Sequence, residues 1–423
     1  MSDTIFALSS GAPPAAIGVI RISGPGAGVA LRSLTGSLPE PRRASLRSVR
    51  ASVGTVLDRA LVLWFPGPHT ATGENLAEIQ CHGGRAVVRA LEAELASIEG
   101  LRRAEPGEFT RRAFANGMID LVEAEGLGDL LTAETELQRQ AAQTAYGGSL
   151  SRKLEEWRDR VLHLSAMVEA VLDFGDEDDV ETLPPDFFDR IADLEREWRE
   201  VIDAPQAERL KDGVRVALAG PPNAGKSSLF NALLNEGAAI VSEEAGTTRD
   251  AIERPVSFEG IPFVLVDTAG LRSEGAGTVE LIGIERAAAE MERADIVLWL
   301  GGEGEGVEGS WEIQPKRDLK GEGKKGPRHS VSSVTGEGIP EMWADLAQSA
   351  RSLLPKPNSA ALNRRQVGAL RQAADALPNN SDADPLIVAE QLRTARHALD
   401  RLQGRHSTED MLDSLFGRFC IGK

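Results

Sequence analysis

The stretch "VRVALAGPPNAGKSS", residues 214–228, decides the fold of the middle of this chain. Its first seven residues form an apolar run that predicts a buried strand, and the glycine-rich turn after it leads into a helical pattern. The turn matches G-x-x-x-x-G-K-[ST], a motif that requires this strand-to-helix context. Amides of the loop and of the helix N-terminus then face phosphate groups. The stretch therefore predicts a phosphate-binding loop in a parallel α/β sheet.

The residue types inside this loop predict separate roles. Gly225 allows the backbone to approach phosphates closely, and Lys226 would neutralise the β and γ phosphates. The Ser227 hydroxyl would bind magnesium. A glycine turn with a chance lysine is the alternative interpretation, and the flanking strand and helix disfavour it.

Two stretches downstream follow in the order expected of a GTPase. "EEAGTTRD" (243–250) places Thr248 where a threonine on a mobile loop reaches magnesium and the γ-phosphate. "FVLVDTAGL" (263–271) delivers Asp267 to a strand end, where it would hold magnesium through water, and Gly270 would donate its amide to a γ-phosphate. Together with the loop, these predict a GTPase of the translation-factor type.

The residue after Gly270 bears on the mechanism. Ras-like GTPases carry a glutamine there to orient the attacking water, whereas this chain has Leu271. Since an apolar side chain cannot position water, another polar group or a cation must do so. Glu280 is the candidate, although an acid stabilised by the dipole of a helix N-terminus is the local alternative.

The stretch "WEIQPKRDL" (311–319) raises the question of base recognition. A guanine-reading loop has the form Asn-Lys-x-Asp, and Pro315 occupies the place of the asparagine. Lys316 would still pack over the base, and Asp318 would accept from the two N–H groups of guanine. Ser332 and Ser333, in "SSVTGEG" (332–338), are expected to close over the base.

The strands on either side of this region are predicted to be unusually close in sequence. "DIVLWL" (295–300) and "WEIQ" (311–314) are predicted as neighbouring strands, separated by about ten glycine-rich and acidic residues. A crossover between parallel strands normally takes a dozen residues or more, usually with a helix. The crossover helix is therefore expected to be missing or reduced to a loop, which leaves a trimmed guanine site.

Bulk composition fits an ordinary globular protein. The chain has 423 residues, 41% of them hydrophobic, and a formal net charge of −18. This charge repels RNA, so a nucleic-acid role needs a partner. No apolar run is long enough for a transmembrane helix, and the start lacks signal-peptide features. Only two cysteines occur, which predicts a reducing, cytoplasmic location, and no Cys/His spacing is typical of a zinc site. Because no apolar run could span a membrane, no membrane partner is expected.

Pattern changes divide the chain into three predicted domains. Strands and one helix occupy residues 1–117, helical periodicity follows, and the α/β pattern runs from Val214 to about residue 350 before helices return. The predicted fold is multidomain α/β plus α, with a Ras-like GTPase domain (212–352) inserted in a discontinuous helical domain (118–211 and 353–423).

The chain resembles the MnmE (TrmE) family of tRNA-modification GTPases over essentially its whole length. The phosphate loop and "DTAG" fit many GTPases, but the N-terminal half and the last residues narrow the resemblance to this family. The motifs that carry it are "DTIFAL" (3–8), "GVIRISGP" (18–25), "TGENLAEIQCHGG" (72–84), "PGEFTRRAFANGMIDLVEAE" (106–125), "GTTRD" (246–250), "DTAGLR" (267–272) and "FCIGK" (419–423).

The resemblance implies a homodimer whose N-terminal domain, α+β in type, dimerises and binds a 5-formyltetrahydrofolate-type one-carbon donor. It implies GTP, magnesium and potassium as cofactors. It also implies an FAD-dependent partner, MnmG, with which a carboxymethylaminomethyl or aminomethyl group is added at C5 of the wobble uridine of certain tRNAs. The acidic net charge of the chain agrees with such a partnership, because MnmG could make most of the contacts with the tRNA.

Site residues follow from the resemblance position by position. It assigns Asn223, Ser242, Glu244 and Thr247 to potassium, and Glu280 to the attacking water. For folate it assigns Arg21, Glu78 and Lys423, although an Arg and a Glu on strands are locally more often a surface pair. The predicted catalytic residues are Glu280, Lys226 and Thr248, and the predicted GTP-binding residues are Asn223, Ala224, Gly225, Lys226, Ser227, Ser228, Ser242, Thr247, Thr248, Asp267, Thr268, Ala269, Gly270, Lys316, Asp318, Ser332 and Ser333.

Met118 and Cys420 are two further positions within the motifs of the family. Met118 stands where the family often has a folate-contacting lysine, which puts one charge contact in doubt. Cys420 is expected to be a small, partly buried side chain in the last helix.

Two alternative functions stay open at this point. An RNA- or ribosome-associated GTPase switch of the Era kind should carry a basic RNA-binding domain after its GTPase domain, whereas this chain continues with a helical segment of nearly balanced charge. A pseudo-GTPase, a folate-binding scaffold that no longer hydrolyses nucleotide, is motivated by Pro315 and the missing crossover helix.

Overall fold

The computed structural model describes residues 3–174, 183–236, 239–240, 252–268, 287–318, 323–356, 361–380, 382–405 and 408–422. The chain forms two compact units. The first consists of Met1–Gly128 and Asp400–Lys423, and the second of Asp129–Leu399.

The first unit is built on a six-stranded sheet in the order β3-β4-β5-β2-β1-β6. Its strands are β1 (Thr4–Leu8), β2 (Ile17–Ser23), β3 (Ser45–Arg50), β4 (Val56–Phe65), β5 (Leu76–His82) and β6 (Leu101–Arg103). Its helices include α1 (Ala27–Thr35), α2 (Arg85–Ala96) and α3 (Glu108–Ala115), and α4 (Leu121–Thr132) continues into the second unit.

The two faces of this sheet differ because strand side chains alternate between them. One face is apolar and packs against α1 and α2, with Ile20 and Ile79 from the sheet and Leu31 from α1 fully buried. The opposite face carries the intervening residues of the same strands, among them Arg21 and Glu78, which lie directly opposite each other on β2 and β5.

The C-terminal segment packs on the first unit. Helix α13 (Glu409–Phe416) contacts α3, and the rings of Phe114 and Phe416 lie 6.1 Å apart. Beyond the helix, Ile421 forms an antiparallel bridge with Pro106. The expected place of Cys420 is therefore wrong: it lies after the end of α13, in the segment fixed by this bridge, and its side chain is exposed.

Helices dominate the second unit outside its sheet. Gly147-Gly148 separates two of these helices, because α5 ends at Tyr146, α6 begins at Ser149 and Gly148 has a φ of 71°. The helices are α5 (Glu136–Tyr146), α6 (Ser149–Phe174), α7 (Phe187–Ile202), α8 (Ala207–Asp212), α9 (Lys226–Asn235), α10 (Ile339–Leu353), α11 (Arg364–Asp375) and α12 (Pro385–Leu402), which continues into the first unit.

A seven-stranded sheet in the order β13-β12-β11-β7-β10-β9-β8 forms the centre of the second unit. Parallel pairing joins β10, β7, β11, β12 and β13, whereas β9 runs antiparallel to β10. The strands are β7 (Val214–Ala219), β8 (Ala239–Ile240), β9 (Ile252–Phe258), β10 (Ile261–Asp267), β11 (Ile296–Trp299), β12 (Trp311–Gln314) and β13 (His329–Ser330).

The short crossover predicted from the sequence is confirmed. Strands β11 and β12 pair in parallel, with Leu298 opposite Trp311. Residues 300–310, all of them described, contain turns and no helix. The multidomain α/β and helical fold is also confirmed, while the predicted domain boundaries stay a prediction.

Candidate nucleotide site

The phosphate-binding loop connects the end of β7 to the start of α9. Gly220 has a φ of 146°, and a Cβ there would lie 3.1 Å from the backbone nitrogen of Gly301, so the position requires glycine. Asn223 and Gly225 also have positive φ, at 61° and 99°. The loop therefore turns sharply twice before α9 begins at Lys226 with its first amides facing the loop.

Lys226 is held inside this loop. Its side chain is almost fully buried, and its Nζ donates to the carbonyls of Gly220 at 2.9 Å and Pro221 at 2.8 Å. These bonds place an ammonium group at the centre of the turn, where it can donate hydrogen bonds to the anionic oxygens of a ligand.

The end of β10 lies at the same edge of the sheet. Asp267 and Thr268 are buried, and Asp267 pairs in register with Leu218 on β7. The Thr268 hydroxyl donates to the carbonyl of Leu218 at 2.7 Å. Because the carboxyl ends of parallel strands share an edge, Asp267 lies on the side of the sheet from which the phosphate loop leaves.

The segment after β12 lies against the phosphate loop. Lys316 has a left-handed φ of 58°, and its Nζ donates to the carbonyl of Asn223 at 3.0 Å. The Cβ of Pro315 lies 3.8 Å from the position that a Cβ of Gly225 would take. The residues predicted to read the base are thus in direct contact with the residues predicted to hold the phosphates.

Asp318 and Ser332, two residues predicted to surround guanine, are brought together. The Ser332 hydroxyl donates to Oδ1 of Asp318 at 2.6 Å and accepts from the amides of Val334 and Thr335. Ser332 is fully buried, while Asp318 is exposed. A fixed serine therefore orients an exposed carboxylate, which is the arrangement that recognition of two N–H groups needs.

The other predicted residues divide into two groups. Ser227 and Ser228 are exposed on the first turn of α9, while Ala224 and Ser333 are half-buried. The following predicted residues lie outside the described part of the chain, and their roles stay predictions: Ser242, Glu244, Thr247, Thr248, Ala269, Gly270, Glu280 and Lys423.

Three polar residues that the sequence did not single out adjoin this site: Glu312, Gln314 and Lys324. Lys324 donates to Glu312, and its backbone N–H donates to Oε1 of Gln314 at 2.8 Å. The only cue in the sequence is alternation, since Glu312 and Gln314 alternate with the buried Trp311 and Ile313 along β12.

A second candidate site lies on the open face of the first unit. Arg21 donates to Oε1 of Glu78 through Nη2 at 2.9 Å and through Nε at 3.1 Å, and both side chains are half-buried. The guanidinium also lies 5.9 Å from the centre of the Phe109 ring. The structure therefore unites two of the predicted folate residues as an ion pair. Met118, near Gly73, is partly exposed.

A buried cluster around Arg112, which the sequence did not predict, borders this face. Arg112 is 1% exposed and pairs with Asp3 at 2.9 Å, with Glu74 at 3.1 Å and with Glu108 at 3.1 Å. Burial raises the pKa of Glu108, but hydrogen bonds from Arg102, the Glu105 amide and Arg112 outweigh it and hold that pKa below its usual value. The cluster thus stays charged and fixes the turn that carries Glu74.

The described residues contain no group of three or more His, Cys, Asp or Glu side chains arranged to hold a metal ion. No helix within the described ranges combines the length and apolar character needed to cross a bilayer.

A glycine-rich phosphate loop after a central strand, a buried aspartate at the end of the neighbouring strand and a Lys-x-Asp segment against the loop define a P-loop protein of the GTPase class. The family model described as the MnmE helical domain matches residues 121–420, and the one described as the N-terminus of the GTP-binding protein TrmE matches residues 4–118. The chain belongs to the MnmE family of tRNA modification GTPases.

Full-length relatives agree with this assignment. The chain is 60% identical to the tRNA modification GTPase MnmE of Erythrobacter litoralis and 57% identical to that of Novosphingobium aromaticivorans, covering 100% of each chain in both cases. It is 49% identical to MnmE of Zymomonas mobilis, over 99% of this chain and 100% of the relative.

Solved structures share shorter stretches. The G domain of the T. maritima FeoB iron transporter is 27% identical, with a TM-score of 0.24, over 32% of this chain and 98% of that chain. Era in complex with MgGDPNP and ribosomal RNA is 17% identical, with a TM-score of 0.23, over 49% of this chain and 90% of that chain. The family assignment does not depend on them.

Proposed function

We propose that this protein binds and hydrolyses GTP at the edge of its seven-stranded sheet and couples this reaction to tRNA modification. The observation that carries the proposal is the contact between the phosphate loop and the base-reading segment, made by Lys316 on Asn223. This contact supports the proposal because it joins the two predicted halves of a guanine-nucleotide site in a chain that is related to MnmE proteins along its whole length.

Lys226 would bind the β and γ phosphates. Its Nζ already lies among carbonyl oxygens of the loop, so an incoming phosphate would add acceptors to an ammonium that is oriented in advance. Ser227, exposed at the start of α9, and the buried Asp267 are the described residues that would hold magnesium, with Thr248 as a further ligand. Magnesium would supply charge neutralisation on the phosphates.

Potassium would be held near Asn223. The side chain of Asn223 is exposed, and its carbonyl is fixed by Lys316, so the residue is presented to solvent in one backbone conformation. Ser242, Glu244 and Thr247 are the proposed further ligands, and Glu280 is the proposed group that orients the attacking water. The cation would supply the positive charge that other GTPases obtain from an arginine finger.

Single-turnover hydrolysis tests this proposal. We expect hydrolysis of GTP in potassium, much slower hydrolysis in sodium, and little hydrolysis of ATP in either salt. The pseudo-GTPase alternative predicts no hydrolysis in either salt, and equal rates with ATP would contradict guanine selectivity.

The open face of the first unit is the proposed site for a folate-type one-carbon donor. The residues there fit such a group: Arg21 is oriented by Glu78 and could meet a carboxylate, and the Glu78 oxygens could accept from a pterin amine. Lys423 is the third proposed contact, and Met118 adds no charge at the position where a lysine would. When bound, the donor would supply the one-carbon unit.

The same face is the proposed interface of a homodimer. By register, Leu46 on β3 and Leu61 on β4 are paired across this face, and Ile17 lies further along it on β2. Leu46, Leu61 and Ile17 are 53%, 41% and 58% exposed. Exposed apolar side chains on one face of a sheet support an interaction surface there.

Light scattering during gel filtration tests the dimer. Leu61→Glu would place a charge in the interface, and we expect it to produce monomers. Val29→Glu, at an exposed position of α1 in the same unit, is the matched control and should stay dimeric. A dimeric Leu61→Glu variant would contradict this interface.

The proposed partner is the FAD-dependent protein MnmG, and the proposed product is a tRNA carrying a carboxymethylaminomethyl or aminomethyl group at C5 of its wobble uridine. A chain with a net charge of −18 is poorly suited to grip RNA alone, which supports a partner that carries the tRNA. Nucleoside mass spectrometry of tRNA incubated with this protein, with MnmG and with both tests the assignment, and the modified uridine is expected only with both. The cytoplasmic location stays a prediction.

A further inference from the structure

Gln314 stands at the junction between β12 and the base-reading segment. Its side-chain Nε2 donates to the carbonyl of Pro315 at 3.0 Å, and its Oε1 accepts from the backbone N–H of Lys324 at 2.8 Å. Pro315 precedes Asp318 in the sequence and Lys324 follows it. The Gln314 carboxamide therefore connects residues on both sides of Asp318. Its backbone carbonyl also accepts from Val331, next to the buried Ser332.

Lys324 fixes the far side of this junction to the sheet. Its side chain is only 6% exposed, and its Nζ donates to the carbonyl of Trp299 at 2.9 Å and to Oε2 of Glu312. Trp299 ends β11 and Glu312 lies on β12. The buried ammonium group of Lys324 therefore bonds to two neighbouring strands and ties its own segment to both of them.

Glu312 extends the connection to the shortened crossover. Its Oε1 accepts from the amide of Gly304 at 3.0 Å, within the stretch where a crossover helix is expected and turns are found. The carboxylate thus bridges the crossover and Lys324. Glu312, Gln314 and Lys324 together are called the clasp below.

We propose that the clasp positions Lys316 and Asp318 and sets the selectivity for guanine in place of the asparagine that Pro315 replaces. Proline has no N–H and no polar side-chain atom, so it cannot tie neighbouring loops together. Gln314, one residue earlier, supplies both a donor and an acceptor to that region. This inference rests on the guanine-nucleotide binding proposed above and adds what determines its base specificity.

The backbone explains why positioning is needed here. Lys316 has a φ of 58°, a conformation that a residue with a side chain keeps only when its surroundings impose it. The carbonyl before it, that of Pro315, is the acceptor that Gln314 holds. Loss of the Gln314 amide therefore frees the backbone from which Lys316 and Asp318 project, although Gln314 itself does not touch the base.

Nucleotide titrations of the full chain test the clasp. Fluorescent GDP, IDP and ADP are the probes, because IDP lacks the exocyclic amine that Asp318 is proposed to bind. In Gln314→Ala we expect GDP binding to weaken about tenfold, the effect of one lost hydrogen bond at a strained loop, with a smaller loss for IDP. The GDP-to-IDP preference is therefore expected to fall about fivefold or more.

Gln348→Ala is the matched control. Gln348 is an exposed glutamine on α10 of the same unit, and its substitution should leave the preference unchanged. A Gln314→Ala variant that binds GDP and IDP with the wild-type preference would overturn the proposal, because a merely structural role weakens both nucleotides equally.

A second variant covers the case in which Gln314→Ala does not fold. Gln314→Glu keeps an acceptor for the Lys324 amide, but it replaces the donor to Pro315 with a charged oxygen that repels that carbonyl, so a fall in preference at least as large is expected. An unchanged preference in this variant would overturn the proposal. If the wild-type protein itself shows no preference for GDP over ADP, the guanine-nucleotide binding proposed above fails and the clasp proposal fails with it, whereas a wild-type preference that survives both substitutions overturns the clasp alone.

Discussion

The phosphate end and the base end of the candidate nucleotide site are built by different means. At the phosphate end, the conformation of the backbone determines the shape of the loop, because Gly220 and Gly225 adopt positive φ. One buried side chain, Lys226, donates to carbonyls of this loop. At the base end, side chains hold side chains and loops, as in the bonds of Ser332 to Asp318 and of Lys316 to Asn223.

This difference determines what each end tolerates. A loop whose shape depends on glycine and on its own amides accepts few substitutions, because a side chain at Gly220 would collide with backbone. A loop held by side chains can lose one contact and regain it from a neighbour. The chain matches the phosphate motif in full and departs from the base motif at Pro315, which agrees with this difference in tolerance.

The largest effect is expected at the phosphate end. Lys226→Ala removes the charge that would face the phosphates and leaves the carbonyls of Gly220 and Pro221 without their donor. Single-turnover GTP hydrolysis should fall on the order of a thousandfold. Lys325→Ala, at an exposed lysine of the same unit, should hydrolyse GTP normally. A modest loss in Lys226→Ala would show that the phosphate end does not depend on this side chain.

A smaller and base-specific effect is expected from Asp318→Ala. Two hydrogen bonds to a charged acceptor would be lost, so GTP affinity should fall about a hundredfold while ATP affinity stays the same. Titration with GTP, xanthosine triphosphate and ATP measures the change. Arg317→Ala is the neighbouring control, since its exposed ion pair with Glu337 at 3.3 Å contributes little. Unchanged GTP preference in Asp318→Ala would assign guanine recognition to another residue.

Ser332→Ala tests whether a side-chain contact positions the carboxylate. The substitution removes the 2.6 Å bond to Asp318 and the acceptor for two amides, but leaves Asp318 in the chain. GTP affinity should therefore fall about tenfold, less than in Asp318→Ala. The same titrations measure it, and equal losses in the two variants would mean that Asp318 has no function without its serine.

The smallest effect is expected in the pH dependence of stability. Burial raises the pKa of Glu312, but the hydrogen bonds from Lys324 and the Gly304 amide outweigh it and leave that pKa below its usual value of 4.5. A depressed carboxyl pKa adds stability above pH 4.5 that is lost as the pH falls through the folded-state value.

Urea unfolding of wild type and Glu312→Gln measures this contribution. The difference in unfolding free energy should be present at pH 6 and shrink as the pH falls below 4.5. A difference that is independent of pH would mean that the Lys324–Glu312 contact does not depend on the carboxylate charge.

The contrast between a loop defined by a local motif and a segment held by side-chain contacts also explains which features could be predicted from the sequence. Strand β12 was predicted at its observed bounds, and Asp267 at a strand end, because apolar runs and local motifs encode them. The role of Gln314 had no such signal, since a glutamine at the end of a strand becomes informative only when Lys324 is brought to it by the fold.

Contacts distant in sequence also account for the wrong expectation about Cys420. Cys420 was expected in the last helix, but α13 ends at Phe416. The residues after the helix form a turn and then a bridge between Ile421 and Pro106, and the Cys420 side chain is exposed. Arg112 was missed for the same reason, because its partners Asp3 and Glu74 are far from it in sequence.

The short crossover between β11 and β12 also has a kinetic consequence. Only residues 300–310 must be looped to pair these parallel strands, whereas β7 and β10 must close over residues 220–260. Loop-closure entropy and folding rate both favour the shorter connection. We expect β11 and β12 to pair before β7 joins either of its neighbours, β10 and β11, with a φ-value near one for Ile313→Val on β12 and near zero for Val216→Ala on β7. Stopped-flow refolding of both variants would reveal the reverse order if the phosphate side folds first.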